Sequence, residues 1–170
     1  MKNENSPLYD AKVQKILNKL ISEENLSYMT YNQSLYACDP AEAVNIYDMF
    51  LEIAEDELND HAKKLIKFAI ANDYDIPVNI KEYKKYASET SWKLYDGLKK
   101  NKDAAYYVTE AIKSEKDAIE SYEEALKLID ELPYELYSII QGNYYDEVEH
   151  LNNLHTLEIA NSACATLSWY

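Results

Sequence analysis

Four long stretches of this chain repeat apolar residues every three or four positions, and each carries an acid or an imidazole in the middle of the repeating face. That period belongs to an amphipathic helix, where residues three and four apart share one side. The first two stripes read Val13, Leu17, Leu20, Glu24, Ser27, Tyr31, Leu35, Cys38, and then Tyr47, Leu51, Ala54, Leu58, His61, Leu65, Phe68. The other two read Ala104, Val108, Ala111, Glu115, Ala118, Tyr122, Ala125, Ile129, and then Leu136, Ile140, Asn143, Glu147, His150, Leu154, Leu157. Apolar faces of this kind must be buried against one another. A carboxylate drawn inward with them needs a partner, because an unpaired buried charge is costly. The constraint is therefore double: four helices must pack together, and their polar intruders must meet.

Punctuation sets the boundaries. Two glycines and four prolines in 170 residues favour a few long helices over many short strands. Ser6-Pro7 is a helix start, and Asp39-Pro40 a second one, with a capping side chain before a proline tolerated at the first helical position. The expected helices span about 7–38, 40–72, 102–131 and 133–165, the third ended by Leu132-Pro133. Between the second and third, turn-like residues at Asn72-Asp73-Tyr74-Asp75-Ile76-Pro77 precede Ile80, Tyr83, Ala87, Ser91, Leu94 and Leu98. This predicts a crossover over 73–101 with a short extra helix closing near Gly97. The reading is a single domain over 1–170, all-α, a four-helix bundle with one long crossover.

The formal charge of −14 makes nucleic acid a poor partner and cations welcome ones. No apolar run is long enough to span a membrane. The polar opening Met1-Lys2-Asn3-Glu4-Asn5-Ser6 lacks the apolar segment of a signal peptide, so a cytoplasmic location is expected. Cys38 and Cys164 fit no zinc or redox spacing and are expected to be unpaired thiols.

The intruders show an internal repeat. Glu24 to His61 and Glu115 to His150 are separated by almost the same length of chain, and Tyr31 and Tyr122 follow their glutamates two turns on. Each half is a helical hairpin with an acid on its first helix and a histidine on its second. Converging carboxylates and imidazoles inside a bundle suit a pair of cations, held by a Glu from each of two helices and a Glu-x-x-His from each of the others. Tyr31 and Tyr122 are core aromatics or hydrogen-bond partners that orient the carboxylates.

The segments Leu17-Asn18-Lys19-Leu20-Ile21-Ser22-Glu23-Glu24, Asp60-His61-Ala62-Lys63-Lys64-Leu65 and Asp146-Glu147-Val148-Glu149-His150, with Glu115 and Tyr122, resemble the helix signatures of the ferritin-like superfamily. The similarity spans residues 13 to 165 and is greatest to bacterioferritins and Dps-like miniferritins. The resemblance implies a ferritin-like bundle and a di-iron ferroxidase for iron storage or peroxide detoxification. Its metal and catalytic residues would be Glu24, His61, Glu115, Glu147 and His150, with Glu147 bridging. Fe(II) and oxygen or hydrogen peroxide would be the reactants, in a homo-oligomer with a dodecameric shell as the candidate assembly. Iron is the expected metal, two per chain or one, with manganese and zinc as alternatives. Haem is not expected, because Asn59 stands where the haem-binding members carry methionine.

One departure stands out: Leu58 occupies the place of the second bridging glutamate. Glu57 is the candidate substitute, about 40° to one side of His61 where Leu58 lies about 60° to the other. The competing outcome is an impaired or absent site, leaving a ferritin-like scaffold with a structural or binding role.

Overall fold

The computed structural model describes residues 10–167, with side chains described through Ile159. The first rod is α1 (Ala11–Ala37). A short helix, α2 (Pro40–Ala43), leads into the second rod, which is α3 (Tyr47–Asp56), a π-helical turn (Glu57–Ala62) and α4 (Lys63–Ala71). The crossover carries α5 (Ile80–Tyr86) and α6 (Glu89–Gly97); the last two rods are α7 (Ala104–Leu126) and α8 (Tyr134–Leu167). The fold is an all-α four-helix bundle.

Side-chain caps account for several of the starts. Asp39 Oδ1 accepts from the Ala41 N–H at 2.9 Å, ahead of Pro40, and Asp103 Oδ1 accepts from the Tyr106 N–H at 2.9 Å. Asp10 caps α1, accepting from the Lys12 N–H at 2.6 Å; the start expected at Ser6-Pro7 lies outside the described residues. Two backbone hydrogen bonds fasten the end of α1 to the start of α7, from Asn101 N–H to the Ala37 carbonyl at 2.7 Å and from Asp39 N–H to the Lys102 carbonyl at 3.0 Å. Asn101 takes φ 53, a left-handed conformation that asparagine tolerates.

Three expectations are corrected. The single crossover helix is divided at Ala87-Ser88, because Ser88 is committed elsewhere. Its N–H donates to Glu23 Oε1 at 2.9 Å, its hydroxyl donates to Asp117, and it caps α6 through Ser91 N–H at 3.0 Å. The third rod stops at Leu126 and continues as a 3-10 turn at Ile129–Glu131, so Ile129 is exposed rather than buried.

The third correction matters most. On the second rod the buried residues upstream of His61 are Ile46, Phe50, Ile53, Ala54 and Glu57, while Tyr47 is exposed and Leu51 and Leu58 are half-buried. The buried stripe has slipped one residue from the regular spacing. The wider π turn absorbs one extra residue, so the stretches on either side of it keep their packing while their sequence register differs by one.

Two apolar clusters hold the bundle, one at each end. Val13, Leu17, Leu20, Leu65, Phe68 and Ile140 are among the residues of the first. Tyr31, Phe50, Ile53, Val108, Ile112 and Leu154 are among those of the second. Full burial of such a side chain contributes about 1.5–3 kcal/mol. The ends thus supply the cohesion that lets a polar waist exist between them.

Candidate metal centre

The waist is where the five polar intruders meet, and Glu57 joins them. Glu24 comes from α1, Glu57 and His61 from the π turn, Glu115 from α7, and Glu147 and His150 from α8; all six are buried. Their ligand atoms form two groups of four, Glu24, Glu57, His61, Glu147 and Glu57, Glu115, Glu147, His150, each with its atoms within 4.8 Å of one another. Glu57 and Glu147 belong to both. Glu57, and not Leu58, lies among the other carboxylates: Glu57 and His61 are spaced i,i+4, and the π turn brings that spacing onto one side, as a regular helix does for Glu147 and His150 at i,i+3.

His61 turns Nδ1 inward, 3.1 Å from Glu147 Oε1, 3.3 Å from Glu24 Oε2 and 3.7 Å from Glu57 Oε2. His150 also turns Nδ1 inward, 3.6 Å from Glu115 Oε2 and 3.8 Å from Glu147 Oε2. The two imidazoles stack with centroids 5.7 Å apart. The tyrosines cross over: the buried Tyr31 hydroxyl donates to Glu115, and the buried Tyr122 hydroxyl donates to Glu24. Asn143 Nδ2 donates to the Tyr122 oxygen at 2.9 Å, and Ser27 Oγ donates to Glu57 Oε1 at 3.1 Å. Each tyrosine thus fixes the carboxylate of the opposite half.

The electrostatics are those of charge crowded into a low-dielectric space. Burial, and then the Glu147 carboxylate, push Glu115 up to about 8, and burial with Glu147 and Glu24 raises Glu57 well above the carboxylate range. Burial also opposes ionisation of Glu147, but the two imidazoles prevail and hold its carboxyl below its ordinary range. For His150 burial alone would favour the neutral ring; Glu115 and Glu147 outweigh it and bring the imidazolium up to about 11. His61 moves the same way, burial being outweighed by Glu24 and Glu147. Burial and the facing carboxylates keep both phenols protonated, so each can donate.

Protons alone leave the cluster poorly satisfied. Among the described residues, buried atoms without a hydrogen-bond partner include Glu24 Oε2, both nitrogens of His61, Glu115 Oε2, both oxygens of Glu147 and Nδ1 of His150. Buried polar atoms in folded proteins are normally paired, and here most of the exceptions point at one another. Four carboxylates and two neutral imidazoles match the charge and donor preference of two divalent cations. The residues therefore fit a two-metal centre, with Glu57 and Glu147 able to reach both positions.

Two openings reach the cluster. On the α3/α8 face a pocket of about 160 Å³ is lined by Glu52, Asp56, Asp146, Glu149 and the edge of His150. On the α1/α7 face, beneath α6, a slot with room for about one water is lined by Ser27, Ser91, Ser114, Glu23 and Glu24. Sequence periodicity passed over Asp56, Asp146 and Glu23. The only trace they leave is their place immediately before Glu57, Glu147 and Glu24. No helix among the described residues is long and apolar enough to cross a membrane.

The profile of the ferritin family, a ferritin-like domain, matches residues 14–159. The chain is similar in structure to the dodecameric thioferritin of Bacteroides fragilis, a bacterioferritin-related protein, with 22% identity, a TM-score of 0.75, and 93% of this chain and 90% of that one covered. It is also similar to the ferritin of M. penetrans, with 17% identity, a TM-score of 0.62, and 88% and 85% covered. No curated protein matches it in sequence.

Proposed function

The chain belongs to the ferritin family, and from that premise we propose that it is a ferroxidase that takes up Fe(II), oxidises it with oxygen or hydrogen peroxide, and stores or detoxifies the product. The observation that carries the reading is the pair of buried four-residue groups sharing Glu57 and Glu147. Bound there, iron supplies the redox chemistry.

The chain's own residues do the rest. In the metal-free protein His61 and His150 hold protons against their carboxylate neighbours, and Glu57 and Glu115 hold theirs because of burial. Each must release its proton to coordinate, so cation uptake and proton release are coupled. Tyr31 and Tyr122 keep Glu115 and Glu24 pointed at the waist while that exchange takes place. The acidic pocket on the α3/α8 face draws cations toward His150. Glu57 and Glu147, which belong to both groups, would hold the two cations together with Glu24, His61, Glu115 and His150, and the four carboxylates would offset their charge.

Storage requires an enclosure, and the dodecameric state of the B. fragilis thioferritin makes a homo-oligomeric shell the assembly to expect. The scaffold reading rests on Leu58 removing a ligand; the buried place of Glu57 among the other carboxylates supports the ferroxidase reading instead.

Aerobic addition of Fe(II), with the ferric product followed in the near ultraviolet, tests the activity. The parent should oxidise Fe(II) at least a hundredfold faster than a Glu147→Ala variant, and Zn(II) should inhibit at about two equivalents per chain. Equal rates for parent, variant and buffer would leave a scaffold. Light scattering on the purified chain should find a closed oligomer rather than a monomer.

A further inference from the structure

Away from the waist, the helices that carry Glu24 and Glu115 leave a furrow between them. On α7 the facing residues Ser121 and Ala125, one turn apart, are small, and on α1 they meet Ile16 and Leu20, also one turn apart. The groove so formed is about 300 Å³, and Leu128 completes its apolar wall. Among the described residues no part of the crossover lines it. Its rim is cationic, with Lys12, Lys15 and Lys19 along the α1 edge. From first to last they span about 10 Å of helix rise. Lys12 pairs with Glu131, and Lys19 pairs with Glu124 at 2.8 Å, so an ion pair toward the α7 side closes each end of the row. Lys15, exposed between them, has no ion-pair or hydrogen-bond partner among the described residues. We propose that this groove binds a long-chain carboxylate of the fatty-acid class, its head group against Lys15 and its hydrocarbon tail along Ile16, Leu20, Ala125 and Leu128.

Shape, charge and exposure select that occupant. Small-molecule sites are concave, lined mostly by apolar side chains, with a few polar groups that fix orientation. This groove has that make-up, and its length between the two ion pairs suits a slender chain. The formal charge of −14 repels anions over most of the surface, so a lysine row with one uncommitted member is where a single carboxylate is attracted. Glu124 also stands on the rim, but its carboxylate is taken by Lys19. A ligand with several negative charges would meet Glu124; one with a single charge fits between the pairs. The lysine stems add their own methylenes to the walls. No residue of the two buried four-residue groups lines the groove, so this assignment and the ferroxidase reading stand or fall separately.

Calorimetry on the purified full chain tests it, with decanoate as probe and 1-decanol as its uncharged counterpart, both below the concentrations at which they aggregate. Decanoate should bind at one per chain and about fivefold more tightly than decanol, the difference fading as salt is raised. Octanoate should be weaker by up to about fourfold for each methylene removed. Lys15→Glu, an exposed change, should weaken decanoate about tenfold and leave decanol within about twofold. Lys100→Glu makes the same charge change beside Asn101, which bonds to Ala37 at the far end of α1, and should alter neither. Leu128→Asp, which sets a carboxylate against the tail, should weaken both ligands.

Equal affinity for decanoate and decanol would leave an apolar furrow with no head-group site and overturn the proposal. So would binding that is unchanged in Lys15→Glu or in Leu128→Asp, binding lost equally in Lys15→Glu and Lys100→Glu, or binding seen only where decanoate forms micelles. Binding that appears only once residues 1–9 are removed would assign the groove to the chain's own leading segment, and overturn it as well.

Discussion

The Glu24/His61 half of the centre and the Glu115/His150 half use the same residue types, but their surroundings differ at four corresponding places. The first half sits on a π turn and the second on regular helix. Ser27 bonds to Glu57, whereas Ala118, the matching residue on α7, offers Glu147 nothing. Asn143 holds Tyr122, whereas Tyr31 is packed edge-on against Phe50 at 5.0 Å. Glu23 precedes Glu24 and fastens the crossover, whereas Ser114 precedes Glu115. The first half is thus more heavily bonded and His61 is 1% exposed, while His150, 6% exposed, forms the floor of the acidic pocket. The difference teaches that a duplicated hairpin can keep one charge pattern while one half is braced and the other is left accessible.

The sharpest test separates the halves by removing one terminal glutamate at a time. Glu24→Ala and Glu115→Ala should each reduce zinc binding from about two equivalents to one, measured by calorimetry with metal analysis. The site left in Glu115→Ala should exchange more slowly, because the slot beside it has room for about one water; equal exchange in the two variants would break the comparison.

Glu23 gives the next largest effect. Burial pushes its carboxyl up to about 8 from 4.5. Between those values the folded chain keeps a proton that the unfolded chain has lost, so this group favours the fold fully at low pH and loses that contribution as pH rises toward 8. Glu23→Gln removes the slope and keeps an acceptor for Ser88. Its melting temperature should exceed the parent's by an amount that grows from about pH 5 to about pH 9, reaching a few kcal/mol of stability. A gap that is constant with pH would mean that Glu23 is ionised in the fold at no cost.

Smaller effects come from the tyrosines. Losing a hydrogen bond to a buried carboxylate costs about 1.5–3 kcal/mol. In chemical unfolding of the metal-free protein Tyr122→Phe should lie at the upper end and Tyr31→Phe lower, since only Tyr122→Phe also leaves Asn143 Nδ2 without its acceptor. The smallest change is expected from the most drastic edit. Deleting Leu58 removes the extra residue and turns Glu57, x, x, x, His61 into Glu-x-x-His on a regular helix, so zinc affinity should stay within a few-fold of the parent's. Loss of both equivalents would show that the π turn itself is needed.

The fold was largely legible, because amphipathic periodicity and Pro/Asp punctuation are local signals: the stripes of α1, α7 and α8 are buried residue for residue over most of their length. Five of the ligand candidates, Glu24, His61, Glu115, Glu147 and His150, were legible for the same reason, as charged exceptions on apolar faces. The upstream half of the second rod was not. Tyr47, Leu51 and Leu58 fit a regular helix in the sequence, and nothing local announces a π turn, whose lengthened hydrogen bonds are favoured only when the packing of Phe50, Ile53 and Glu57 against the other rods compensates for them.

By itself, then, the sequence determined that four amphipathic rods would form and that acids and imidazoles would enter their shared interior, since both follow from spacing along one chain. Only the tertiary structure decided that Glu57, and not Leu58, turns into the cluster, that each tyrosine bonds to the opposite half, and that Asp56 and Asp146 face the other rod's histidine. Those contacts join residues distant in sequence, and their energies depend on distances and directions that exist only after the rods have packed.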